Sequence, residues 1–226
     1  GLLRRQRQMC IRDRVSPIHQ HLFNVRLDWF LDGGENQLFE INVKPVSNDF
    51  ENSSELQFQA ISKHLKNENE AKRNIDPSTS RTWKIVNGKV KNKIGNPTAY
   101  KILPGNSPTL MSGPKSIVGK RASFAKHNLW ATPYEAKEMY AAGTHTVMHG
   151  GEGGLSELTS NNRDISECDL VTWITFGVTH IPRPEDWPVM PVEYCGFHLI
   201  PNGFFDKNPT INLPSDCNSN SKSNKD

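Results

Sequence analysis

The stretch His19-Gln20-His21-Leu22-Phe23-Asn24-Val25-Arg26-Leu27-Asp28-Trp29-Phe30 decides the fold. Phe23, Val25, Leu27 and Trp29 fall on one face of an extended chain, and Gln20, Asn24, Arg26 and Asp28 on the other. A period of two is the signature of a half-buried strand; a helix would scatter these side chains around its axis. The turn-forming run Asp32-Gly33-Gly34-Glu35-Asn36 follows, and residues 37–46 suit a returning strand.

Outward from this pair, the β signal continues. Residues 82–86 and 98–103 read as strands around a Gly-containing loop. Residues 169–180 are apolar on both faces, as a central strand would be, and residues 192–200 suit another strand. Residues 47–80 are hydrophilic, with a short helix expected over 67–74, ended by Asp76-Pro77. Residues 104–154 are rich in Gly, Pro and Ser and predict long excursions, not a packed core. With no βαβ alternation and no internal repeat, the expected fold class is all-β, a sandwich.

The formal charge of +3 is unevenly spread. Residues 1–14 hold five arginines and one aspartate, which leaves 22 basic against 23 acidic residues elsewhere. A nucleic-acid partner is not expected from this arm, because residues 6–14, QRQMCIRDR, look like translated adaptor sequence, with no periodicity and no turn chemistry. Residues 1–15 are therefore expected to be non-native, residues 16–215 the folded part, and the Asn-, Ser- and Lys-rich residues 216–226 a disordered tail. No apolar run is long enough for a membrane-spanning helix. The four cysteines form no CxxC pair and no dense disulfide framework.

The chemistry begins with His19 and His21. Two imidazoles two apart on a strand point the same way and can reach one metal ion. His180 ends the apolar strand and is followed by Ile181-Pro182-Arg183-Pro184, so it is expected to be partly buried and to need a hydrogen-bond partner or a metal. Three histidines from two distant strands, with an open coordination position, would be typical of a catalytic metal.

These residues carry a resemblance. His19-Gln20-His21 with Arg26-Leu27-Asp28 is similar to the strand that supplies two copper ligands in copper-containing amine oxidases. Leu129-Trp130-Ala131-Thr132-Pro133-Tyr134, Tyr140-Ala141-Ala142-Gly143, Asp169-Leu170-Val171-Thr172-Trp173 and Thr179-His180-Ile181 resemble later blocks of that family, in order. So do Arg183-Pro184-Glu185-Asp186-Trp187-Pro188-Val189-Met190-Pro191 and Phe204-Phe205-Asp206-Lys207-Asn208-Pro209. The resemblance implies a large β-sandwich catalytic domain, here incomplete at its N-terminal side. His19, His21 and His180 would be copper ligands, and Met190 would border the copper. It also implies a second, calcium-like site from the carboxylates of Asp28 and Asp169 and the carbonyls of Trp29 and Leu170, although Phe30 stands where a further carboxylate often sits. The alternative for Asp28 is an ion pair with a nearby cation.

By the same resemblance, the whole enzyme would be a homodimer that oxidises primary amines with oxygen to aldehydes, releasing ammonia and hydrogen peroxide. Its other cofactor would be topaquinone, made from a tyrosine in an Asn-Tyr-Asp/Glu motif. The four tyrosines here follow Ala99, Pro133, Met139 and Glu193, so that precursor is absent. The family's catalytic base, an aspartate further upstream, is also expected to be missing. The chain is thus expected to be an inactive fragment that supplies the copper site, with the Gly- and Pro-rich residues 104–154 a source for an arm to the partner subunit. A competing class is a non-catalytic or zinc-binding cupin-like β-protein with a His-x-His site.

Overall fold

The computed structural model of the chain describes residues 10–11, 14–15, 18–46, 56–145, 149–186 and 188–213. Two-residue strands β1 (Cys10–Ile11) and β2 (Arg14–Val15) pair with each other. The expectations for residues 1–15 and 216–226 otherwise lie outside the described residues. The body contains β3 (His19–Asp28), β4 (Gln37–Pro45), β5 (Phe58–Leu65), β6 (Thr82–Lys91) and β7 (Pro97–Pro104). After these come α1 (Ile117–Arg121), β8 (Leu129–Pro133), α2 (Leu155–Leu158), β9 (Leu170–His180) and β10 (Phe197–Asn202).

Two antiparallel sheets form, one ordered β3-β9-β8 and the other β10-β7-β6-β4-β5. Leu38, Leu65, Trp83, Ile85 and Ile102 of the five-stranded sheet pack on Leu129, Ala131, Leu170 and Ile174 of the three-stranded one. The opposite face of the three-stranded sheet is also covered. There Trp130, Val171 and Trp173 pack with Ala141 and Leu155. Cover on both sides is why β9 is apolar at successive positions where β3 alternates.

The alternating register of β3 is as the sequence implies, but its partner is not the following strand. β3 pairs with β9, whereas β4 pairs with β5 and β6. The run 32–36 therefore carries the chain from one layer to the other instead of closing a hairpin. Asn36 fixes that crossing. Its side-chain oxygen accepts from Leu31 N at 3.2 Å, its side-chain nitrogen donates to Gly33 O at 2.9 Å, and its backbone N–H donates to Cys168 O at 2.8 Å. Asp32 and Gly33 both take positive φ, 53° and 135°, which Asp and Gly tolerate best.

Three other expectations change. Residues 67–74 make a turn and not a helix, because the N–H and C=O of Arg73 both bond to Leu129, at 3.0 and 2.9 Å. The described residues of 104–154 are not all excursions outside a packed core. They contribute buried β8 and the cover over Trp173, and Trp130 Nε1 donates to Phe124 O at 2.7 Å. The last strand starts at Phe197, leaving residues 192–196 outside it.

Candidate metal centre

The β3–β9 ladder sets His19 directly opposite His180 and His21 opposite Val178. With a period of two, His19, His21, Phe23, Val25 and Leu27 share the inner face with His180, Val178, Phe176, Ile174 and Thr172. Leu27 and Ile174 reach the sandwich core. Further out, Phe23 lies tilted against Phe176 at 5.8 Å between centroids, and Phe176 meets Phe197 edge to face at 5.6 Å. The three histidines lie beyond these rings, at the outer end of the ladder.

Gln20, between the two strand histidines, points to the other face and ties the strand end down. Its side-chain nitrogen donates to Thr109 O and Thr179 Oγ1, each at 3.0 Å, and its oxygen accepts from Met111 N at 2.9 Å. His19 and His21 are thereby held on the inner face. Their ring centroids are 4.8 Å apart, and those of His19 and His180 are 5.0 Å apart.

His180 is only 4 % exposed, and its two nitrogens differ. Nε2 lies 3.0 Å from Asp186 Oδ2. Asp186 also accepts from Arg183 N at 2.9 Å and from the Arg183 guanidinium at 3.0 Å. The Arg183 backbone N–H and the His180 ring, with the Arg183 head added, hold the Asp186 carboxyl down to about 2. An ionised carboxylate only accepts, so Nε2 carries the proton. Nδ1 is left buried with no hydrogen-bond partner. A buried lone pair without a donor costs about 1–3 kcal/mol, and a metal ion would remove that deficit.

The spacings of His19 from His21 and from His180 are compatible with ligation of one ion. With metal–nitrogen bonds of about 2.0 Å, each ring centroid lies about 3.2 Å from the metal, so two ligands at 90–109° have centroids roughly 4.5–5.2 Å apart. The observed separations fall in that window. The aim of the rings does not yet match. His19 meets His21 and His180 edge to face, at 77° and 76°. As the rings stand, no group of three or more His, Cys, Asp or Glu side chains among the described residues is arranged to hold a metal. His19 thus neighbours both His21 and His180, while the expected common point about 2 Å from each ring nitrogen is not formed; side-chain rotation would be needed to make it.

Met190, expected beside the metal, shares a recess with two of the three histidines. With His21, Phe23, Val178, His180, Pro191, Glu193 and Cys195 it lines a recess of about 160 Å³. Neither Asp186 nor Cys195, which the fold brings beside His180, stands out in the sequence as a site residue. The signal for Asp186 was a carboxylate six residues after a strand-end histidine, across two prolines that bend the chain back.

The second expected site is arranged differently. Asp28 closes onto Arg26 at 3.2 Å, the ion-pair alternative. Its register partner is Val171, Leu170 O accepts from Trp29 N at 3.0 Å, and Asp169 O accepts from Tyr134 N at 2.7 Å. Arg26 lies over the rings of Tyr134 and Trp173, at 5.4 and 5.6 Å from their centroids. With a guanidinium on Asp28 and the Leu170 carbonyl accepting from Trp29 N, these two donors are not free for a calcium ion as they stand.

No helix among the described residues is long and apolar enough to cross a membrane. The family described as copper amine oxidase, enzyme domain, matches residues 8–220. Histamine oxidase of Arthrobacter globiformis is 42% identical over 200 residues, which are 88% of this chain and 29% of that protein. The peroxisomal copper-containing diamine oxidase 1 of Nicotiana tabacum is 40% identical over 214 residues, 92% of this chain and 27% of that protein. The solved copper-containing benzylamine oxidase of Hansenula polymorpha matches with a TM-score of 0.80 at 35% identity, covering 87% of this chain and 31% of that one. The chain spans less than a third of the length of these relatives. It belongs to the copper amine oxidase family, and it falls within that family's enzyme domain.

Proposed function

We propose that this chain is the copper-holding part of an amine oxidase, with His19, His21 and His180 as ligands and Met190 beside them. The observation that carries the proposal is the orphaned Nδ1 of buried His180, beside two histidines on the same face of the ladder. Copper would supply the redox chemistry with oxygen, and topaquinone the electron sink for amine oxidation. The chain's own share is to hold the imidazoles, keep Nδ1 of His180 unprotonated, and line the approach with Phe23, Val178 and Met190. The whole enzyme would be a dimer that converts primary amines to aldehydes, with release of ammonia and hydrogen peroxide. No tyrosine in this chain follows an asparagine, so the chain loaded with copper would form no quinone and turn nothing over.

Two assays test this together. Whole enzyme containing this segment should release peroxide from methylamine or benzylamine and lose that activity on copper removal. The chain alone with copper and oxygen should develop no quinone absorbance. Turnover by the copper-free whole enzyme, or quinone colour in the chain alone, would refute the proposal.

A further inference from the structure

The recess beside the histidines holds two sulfur side chains, Met190 and Cys195, in its wall. The segment between them runs along the surface, with Val192 and Tyr194 exposed, and turns inward at Cys195. Entry into β10 fixes that turn. Phe197 pairs with Pro104 and meets Phe176 of β9 edge to face, and Gly196 O sits so close to Gly105 that a Cβ there would collide with it. A free cysteine often packs as a small apolar side chain. The surroundings of Cys195 separate it from that case. The same recess is lined by His180, 4 % exposed, whose Nδ1 has no hydrogen-bond partner, and by Met190.

Thiolate and thioether are soft donors that select copper in its reduced state, whereas imidazole serves both states. We propose that Cys195, with Met190 and Nδ1 of His180, holds Cu(I). This inference rests on copper binding at the three histidines, and His180 is the ligand the two donor sets share. Binding is a proton exchange with no change of oxidation state. The S–H bond of Cys195 breaks, a Cu–S bond forms, and the proton leaves to solvent. The thiolate cancels the single charge of Cu(I), and a neutral pair suits a recess walled by Phe23, Val178 and Pro191. Glu193, at the exposed rim, offers only hard oxygen, which does not favour Cu(I). The volume of about 160 Å³ is ample for an ion, since even a water molecule takes only about 30 Å³.

The test is titration of the metal-free whole protein without oxygen, with Cu(I) against bicinchoninate and separately with Cu(II) against a second chelator. X-ray absorption of the Cu(I) form and a thermal melt of each metal-free variant complete it. The parent's Cu(I) should show sulfur neighbours, and Cys195→Val should show one fewer. A group that merely backs a ligand is worth about 10–100-fold, so loss of a donor should weaken Cu(I) binding by at least about tenfold. Cu(II) affinity should stay as in the parent. Cys195→Ser should not restore Cu(I) binding, because a hydroxyl is a hard donor. His180→Ala should weaken both states. If Cys195→Val fails to fold, Cys195→Ser gives the same comparison. Cu(I) bound as tightly by the Cys195 variants as by the parent, or a parent Cu(I) form without sulfur neighbours, would overturn the proposal. So would equal losses for Cu(I) and Cu(II), which mark a packing role. A parent that takes up no Cu(II) would sink the three-histidine reading, and the Cu(I) arm, read separately, still decides Cys195.

Discussion

His19 and His180 face each other across the β3–β9 ladder with their rings 5.0 Å apart. That pairing depends on register. A slip of one residue would send every β3 side chain to the opposite face and His19 and His21 away from His180. The register is enforced inside by Leu27 and Ile174 and outside by Gln20.

Gly177 lies in this ladder opposite Leu22, and a Cβ there would collide with the carbonyl oxygen of His21. Gly177→Ala should therefore force β3 away from β9 beside the histidines. Overpacking of this kind costs roughly 1–3 kcal/mol. The expected result is a lower melting temperature together with weaker copper binding; unchanged copper affinity would show that the close approach does not set the site.

Glu40 tests the five-stranded sheet. Its carboxylate, 1 % exposed as a residue, accepts from Arg73 Nε and Nη2 at 2.6 Å each and from Asn42 Nδ2 at 3.1 Å. Burial alone would raise its pKa, but the hydrogen bonds from Arg73 and Asn42 and the charges of Arg73 and Arg81 carry it below the ordinary 4.5. A carboxyl whose folded pKa is depressed stabilises fully above the unfolded value and loses that stabilisation as pH falls through the folded one. Acid unfolding below pH 4.5 should thus be shallower in Glu40→Gln. At neutral pH the same variant should be less stable by about 1–3 kcal/mol, since Gln keeps an acceptor but loses the charge that pairs the partly exposed Arg73. Identical acid limbs in parent and variant would contradict this.

Asp28→Asn should do little. The Arg26–Asp28 pair is exposed on the Asp28 side, and such pairs contribute about 0–1 kcal/mol. Copper content should stay unchanged, because Asp28 lies on the face away from His19 and His21. Calcium should not shift the melting temperature of either parent or variant. A calcium-dependent rise in the parent that Asp28→Asn abolishes would restore the second cation site.

The long strands that bury a face were legible, and the exposed or short ones were hidden. β3 alternates and β9 is covered on both sides, so their patterns reported burial directly. β5, Phe58–Leu65, is an edge strand exposed along most of its length, and nothing in its side chains had to alternate. β8 is five residues long and sits in Gly- and Pro-rich sequence, so its apolar run was too short to show periodicity. The turn at 32–36 announced a change of direction, but turn chemistry does not say which strand the chain meets next. At the site, His19, His21 and His180 were visible as residue types in a pattern. Asp186 was not, because its role exists only once two prolines have bent the chain back onto β9.

The most direct test is the metal itself. The protein should be freed of metal, reloaded with Cu(II), and analysed for copper content and nitrogen couplings by electron paramagnetic resonance. One copper per chain with three imidazole nitrogens is the expected result, and His19→Ala, His21→Ala and His180→Ala should each remove one coupling and weaken binding. Copper retained with unchanged couplings in all three variants would place the ion elsewhere and contradict the assignment.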